Sequence, residues 1–205
     1  MMAGDAASSA EAIILEHHAA SHAAVIRFNR PTGRNPLSTS TLEELERTVS
    51  ALARRSDVRK IIFTGAGEVF ASGANIREVA VLTGESARAF ALRGQRLMQM
   101  IESLSALTIA AVNGYCMGGG LDLALSCRLR FASKAAVFAH PGARLGIITG
   151  WGGTQRLPRL IGTARALEFF TTARRLTSDE ALEIGLVDRI SDPVLDCALE
   201  HASKI

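Results

Sequence analysis

Apolar positions along the chain alternate between two rhythms. Ala12 to Leu15 and Ala23 to Phe28 predict two short strands around a His/Ala/Ser turn. Lys60-Ile61-Ile62-Phe63-Thr64, ended by Gly65, and Thr108 to Val112, closed by Asn113-Gly114, predict buried strands. Leu129 to Ala132 and Val137 to His140 continue the strand series. Between them the period changes. Leu42, Leu45, Val49 and Leu52 fall at i, i+3, i+7 and i+10, with Glu and Arg opposite, and predict a helix from Thr41 to Arg55. Ser40-x-x-Glu43 and Thr41-x-x-Glu44 both fit a capping box at its start. A second helix is expected over Ser86 to Leu104, with Phe90, Leu97, Ile101 and Leu104 on one side. Shorter ones are expected at Leu121 to Leu125, Thr163 to Thr172, Ser178 to Ile184 and from Val194 onward. Asn29 to Pro36 breaks regular structure through its two prolines. Gly65 to Ile76 and Gly146 to Gly153 are glycine-rich loops.

Strands alternating with helices predict an α/β fold with mainly parallel pairing. We expect one domain over residues 1–205, with a core over about 1–190 and the start of a C-terminal helical segment over 191–205. The chain stops inside an amphipathic pattern (Val194, Leu195, Ala198, Leu199) without a closing cap, so that helical part is expected to be short or truncated. With 205 residues and 48% hydrophobic content there is ample material for a core, which excludes disordered and collagen-like chains. Lys and Arg exceed Asp and Glu by 3. Acids are interspersed with bases, as in Glu43-Glu44-Leu45-Glu46-Arg47, so a nucleic-acid partner is not expected, whereas an anionic small ligand suits the charge. Cys116, Cys127 and Cys197 form no C-x-x-C pair, which predicts thiols in a reducing compartment. Met1 to Asp5 lacks a signal-peptide pattern, and no run is apolar for 18 residues, so a cytoplasmic protein without a membrane span is expected.

Two loops carry the candidate chemistry: Phe70-Ala71-Ser72-Gly73-Ala74-Asn75-Ile76 and Asn113-Gly114-Tyr115-Cys116-Met117-Gly118-Gly119-Gly120. Each puts small residues just after a buried strand, so a ligand can approach exposed backbone N–H groups. Three glycines opening a helix add its positive end. Two such donor sites converging on one oxygen make an oxyanion hole; tight turns alone account for the glycines equally well. Neither loop is a dinucleotide fingerprint, a P-loop or a nucleophile elbow.

Phe70 to Glu78 resembles the F-x-x-G-A-D-[IL]-[KR]-E loop of the enoyl-CoA hydratase/isomerase (crotonase) superfamily. Ile109 to Tyr115 with Gly118 to Ala124 resembles its central signature, Leu145 to Leu157 its third block, and Ala181 to Asp188 its A-x-x-x-G-L-V turn. The likeness runs in order from about Val25 to the C-terminus. It implies a spiral of ββα units, trimers or hexamers, and a coenzyme A thioester whose carbonyl is held by the N–H groups of Ala74 and Gly119. It further implies that Ala74, Asn75, Ile76 and Arg77 lie along the CoA path, with Arg34 near its entrance and Gly119 and Gly142 at the substrate. Arg30 is a second candidate phosphate contact. Coenzyme A would be part of the substrate, and neither a separate cofactor nor a metal is implied.

The departures concern the carboxylates. Hydratases of this superfamily carry two glutamates; here Asp122 stands at the first place and Gly142 at the second. Asp122 is therefore the candidate acid/base, or else a structural carboxylate near a helix N-terminus. The resemblance implies a hydratase or double-bond isomerase that stabilises an enolate, and the alternative is a CoA-thioester binder with impaired catalysis. Restoring Asp122→Glu and Gly142→Glu together is expected to raise hydration unless Gly142 needs φ > 0. His140 is a candidate substitute base or a merely packed histidine. Trp151 is either an acyl-pocket wall or core packing. His17, His18 and His22 are solvated turn residues rather than a metal site, and Cys116 has no adjacent base.

Overall fold

The chain opens with an antiparallel hairpin of β1 (Ile13–His18) and β2 (Ala23–Phe28). The computed structural model describes residues 11–202. Met1 to Asp5, read above for a leader, and the outer domain limits at 1–10 and 203–205 lie outside them. After a 3₁₀ turn at Pro31–Gly33 come β3 (Pro36–Leu37) and α1 (Thr39–Leu52). The next unit is β4 (Lys60–Gly65), β5 (Val69–Ala71), β6 (Gly73–Ala74), α2 (Ile76–Val79) and α3 (Gly84–Glu102). Then follow β7 (Leu107–Val112), β8 (Tyr115–Met117) and α4 (Gly119–Ser126). The unit after that is β9 (Leu129–Ala132), β10 (Val137–Ala139), α5 (Gly153–Ile161) and α6 (Thr163–Thr172). β11 (Leu176–Thr177), α7 (Ser178–Glu183), β12 (Arg189–Ile190) and α8 (Val194–Ala202) complete it.

The turns that begin at β4, β7 and β9 each contribute one strand to each of two sheets before their helices, which makes a spiral of ββα units. The larger sheet runs β1-β2-β4-β7-β9-β12 and the second β11-β10-β8-β5, with β3 and β6 pairing separately. Pairing is parallel except at β1–β2 and β10–β11. Strand alternation buries both faces of the large sheet. Ala24, Ile26, Phe28, Ile61, Phe63, Ala110 and Val112 enter the main core. Their neighbours Val25, Ile62, Ile109 and Ala111 face the other way, against Val194 and Ala198 of α8.

Some expectations need correction. The cap of α1 is Ser38, whose side chain accepts from the Thr41 N–H, two residues before the first capping box anticipated. The loop expected over Gly65 to Ile76 holds β5 and β6, because parallel pairing to β8 and β3 orders two short segments with little pattern of their own. β8 was likewise expected as loop. α5 was not expected, since Gly152, Gly153 and Pro158 are poor helix signals.

Candidate active site

Parallel strands that end together bring their following loops together. β8 pairs with β10 through Cys116↔Phe138 and Met117↔Ala139, so the segments after Met117 and after Ala139 emerge side by side. β5 pairs with β8 on its other side and delivers the loop that leads to Ala74. That loop is fixed from two directions. Asn35, buried with φ +48°, accepts from the Arg30 N–H (2.8 Å) and donates to the carbonyls of Val69 (2.6 Å) and Ala66 (3.1 Å). Glu78 of α2 accepts from the N–H (2.8 Å) and hydroxyl (2.7 Å) of Thr39, the first residue of α1. Between these anchors β6 pairs with β3, Leu37 opposite Ala74.

Gly73 has φ +91°, and a Cβ there would lie 2.8 Å from both the Gly119 N and the Met117 O. The two glycine loops therefore touch, and glycine is what allows it. Gly118, at φ +51°, turns the chain into α4, and its N–H donates to the Ala139 carbonyl (2.9 Å). The next N–H, that of Gly119, meets no acceptor among the described residues, as befits the first turn of a helix. Ala74, Gly119, Asp122, Ile76 and Gly142 line one cavity of about 250 Å³.

Asp122, in the first turn of α4, is 1% exposed. Burial pushes its carboxyl up to about 6, while the Thr149 hydroxyl, the Trp151 and Gly153 amides and Arg156 pull the other way. Thr149 donates to Oδ2. Among the described residues no donor meets Oδ1 in full hydrogen-bond geometry. His140, also buried, presents Nε2 to that oxygen at 3.4 Å, and Nε2 too lacks a partner. Burial alone drives the imidazole down to about 4, so it is neutral near pH 7. Its ring packs on Phe169 and Phe170. The thiol of Cys116, wholly buried, is raised well above its ordinary value and is no nucleophile near neutrality.

Trp151 is both buried and at the cavity wall. Its indole lies between Gly94 of α3 and Gly119 of α4, at each of which a Cβ would overlap the ring. Phe90, Ile147 and Ile148 make the rest of the wall apolar. A second cavity of about 650 Å³ adjoins the first, sharing Ser72 and Pro141. It holds Arg34 together with Arg144 and Arg175, neither anticipated from sequence, and one acid, Glu68. Asn75 and Arg77 line neither cavity. Asn75 caps α2, accepting from the Arg77 N–H (3.1 Å) and donating to Glu78 (3.0 Å), and Arg77 is exposed. Gly142 does not have a positive φ, but a Cβ on it would overlap the Ile147 carbonyl oxygen. The obstacle to restoring a glutamate there is steric rather than torsional.

The family model for enoyl-CoA hydratase/isomerase matches residues 18–205. This chain belongs to that family. It is similar to a short-chain-enoyl-CoA hydratase of Clostridium acetobutylicum, 41% identical over 185 residues, which cover 89% of this chain and 71% of that protein. A crotonyl-CoA hydratase of Syntrophomonas wolfei is 41% identical over 184 residues, or 89% and 70% of the two chains. Among solved structures, an enoyl-CoA hydratase of Bacillus anthracis superposes with TM-score 0.90 at 38% identity, covering 95% of this chain and 76% of that one. Pseudomonas aeruginosa DspI does so with TM-score 0.90 at 32% identity, covering 98% and 83%. The ββα spiral described above is thus the crotonase fold.

Proposed function

We propose that this family member converts enoyl-CoA thioesters by proton transfer through Asp122, with the thioester oxygen held by the Ala74 and Gly119 N–H groups. The observation that carries the reading is the convergence of Ala74, Gly119 and an ionisable buried carboxylate on one largely apolar cavity. A carboxyl near 6 is mostly ionised at neutral pH yet holds a proton readily, as an acid/base must. In hydration, ionised Asp122 takes a proton from water as the water oxygen bonds to C3. In the same step the C2=C3 pair becomes the C1=C2 bond and the carbonyl pair moves onto the thioester oxygen; the enolate then collapses by taking the proton from Asp122 at C2. In double-bond isomerisation the same carboxylate removes a proton from one carbon and returns it to another. One carboxylate balances either reaction. The relatives named above as hydratases favour hydration, and they lend no support to an inert thioester binder.

The Arg34, Arg144 and Arg175 cavity supplies the cationic surface for the nucleotide phosphates, and Ile76, at the start of α2, lines the cavity it adjoins. A homotrimer or hexamer accords with the exposed Ile76, Leu145, Ile147 and Ile148, which line the cavity. The free Cys116, Cys127 and Cys197 accord with a cytoplasmic setting. Among the described residues no helix is long and apolar enough to cross a membrane.

The test is incubation with a panel of enoyl-CoA thioesters, read by mass spectrometry and chromatography. A product heavier by one water marks hydration, and a shifted retention at unchanged mass marks isomerisation. Tight thioester binding with neither product across the panel overturns the catalytic reading.

A further inference from the structure

A side chain at position 142 would overlap the Ile147 carbonyl oxygen, yet the site holds a second polar group that the reaction above does not use. His140 Nε2 and Asp122 Oδ1 lie 3.4 Å apart, both buried and both without a hydrogen-bond partner. Two orphaned buried polar atoms facing each other are costly unless they pair. Each is held where it is by independent packing. Asp122 is tied through Oδ2 to Thr149, and the His140 ring is set against Phe169 and Phe170. Gly153, the first residue of α5, closes the third side: a Cβ there would overlap Oδ1 and lie 3.2 Å from Nε2. Catalytic hydrogen bonds are often long in unliganded sites and tighten on ligand binding.

We propose that His140 is the positioning residue of the site: its Nε2–H donates to Asp122 Oδ1, turning that oxygen's remaining lone pair toward the substrate. The inference rests on the acid/base reading of Asp122. Imidazole is suited to the task because it stays neutral here and so donates without carrying a charge into the cavity. Carboxylate Oδ1 has a lone pair for Nε2–H and another for the migrating proton, so the bond persists whether Asp122 is ionised or protonated. The donor stabilises the ionised form more, which opposes the effect of burial. The other titratable or charged groups facing Asp122 are Arg156 from α5 and Cys116 from β8, and both stay in place when His140 is changed.

The experiment follows the Asp122 side-chain carbon by ¹³C NMR titration, assigned by its disappearance in Asp122→Asn, in the free protein. His140→Leu keeps the volume and dryness but removes the donor. His140→Gln supplies an amide N–H of similar reach, and His140→Asn one that falls short. We expect the Asp122 midpoint to rise by about one pH unit or more in His140→Leu and His140→Asn, and to return toward the parent value in His140→Gln. The acidic limb of kcat/KM should move with it, lowering activity at pH 6 about fivefold with KM little changed. A midpoint and pH profile unmoved in the Leu and Asn variants overturn the proposal, as does a Gln variant no different from Leu. If Leu does not fold, Asn and Gln alone decide the comparison. Because the titration needs no turnover, a shifted midpoint in a protein inert toward every thioester would retain the pair and refute the proposed reaction.

Discussion

A single methyl group at Gly142 tests how tightly the cavity wall is built. Gly142→Ala places a Cβ into the Ile147 carbonyl oxygen and 3.2 Å from its carbon, and the Ile147 N–H meanwhile donates to the Gly142 carbonyl at 3.0 Å. The 142–147 turn is therefore closed on itself and cannot widen without losing that bond. Overpacking of this kind costs about 1–3 kcal/mol. At about 2–4 °C per kcal/mol for a chain of this size, the melting temperature should fall by about 2–12 °C. Ile147 and Ile148 line the cavity beside Asp122, so relieving the overlap displaces the wall that orients the acyl chain. A displacement on the order of 1 Å costs roughly 10²-fold in rate. Gly142→Ala should thus lower kcat/KM on a short enoyl-CoA by about two orders of magnitude, and Asp122→Glu with Gly142→Glu should do no better. The assay pairs steady-state kinetics with differential scanning fluorimetry. A Gly142→Ala protein with parental melting temperature and kcat/KM would refute the steric reasoning, and a double variant faster than the parent would revive the two-glutamate expectation.

Other outcomes follow from the same geometry. The acidic limb of kcat/KM should have its midpoint near 6, since Asp122 must be ionised to take a proton; a limb near 4 would place the base elsewhere. Stability should change with pH in a signed way. Asp122, raised to about 6, stabilises the fold below the ordinary carboxyl value of 3.8, and that contribution is lost as pH rises through 6. His140, held down to about 4, contributes above 6.5 and loses its contribution as pH falls through 4. Asp122→Asn removes only the first, so its stability relative to the parent should improve by about 2.4 kcal/mol between pH 4 and pH 7 in urea titrations. A pH-independent difference would contradict this. Asn35→Ala leaves the Val69 carbonyl and the Arg30 N–H unpaired and puts alanine at φ +48°, so it should destabilise by about 3 kcal/mol. Chemical denaturation unchanged within about 0.5 kcal/mol would refute it. Gly119→Ala drives a Cβ into Trp151 and disturbs an oxyanion donor, so kcat should fall about 10²- to 10³-fold; near-parental turnover would exclude Gly119 as donor.

What the sequence shows and what it hides divide along physical lines. Leu42, Leu45, Val49 and Leu52 announce α1 because a long amphipathic face is a local pattern, and all four are buried as expected. β4 and β7 are equally plain, being β-branched runs buried on both faces. β5, β6 and β8 are two or three residues long and exist through pairing, which no local pattern records. α5 has no capping side chain because its cap is Gly152, whose φ of +108° disfavours any residue with a Cβ. The Ala74 and Gly119 loops were legible as glycine motifs, but their contact required the β5–β8–β10 register. The same register makes neighbours of His140 and Asp122, 18 residues apart in sequence. Thr149 and the cationic cavity with Arg144 and Arg175 had no sequence signal, since a threonine and two arginines in loops resemble any others.

The central claim is that Asp122 moves the proton while backbone amides hold the thioester. Asp122→Asn separates the two, because asparagine keeps the shape but takes up no proton near neutral pH. The decisive measurement is turnover of a short enoyl-CoA alongside calorimetric binding of a non-reactive acyl-CoA analogue, both for this one variant. Turnover reduced at least about 10³-fold with affinity within about threefold of the parent is the predicted result. Parental turnover in Asp122→Asn would show the carboxylate to be structural and the account of the site wrong.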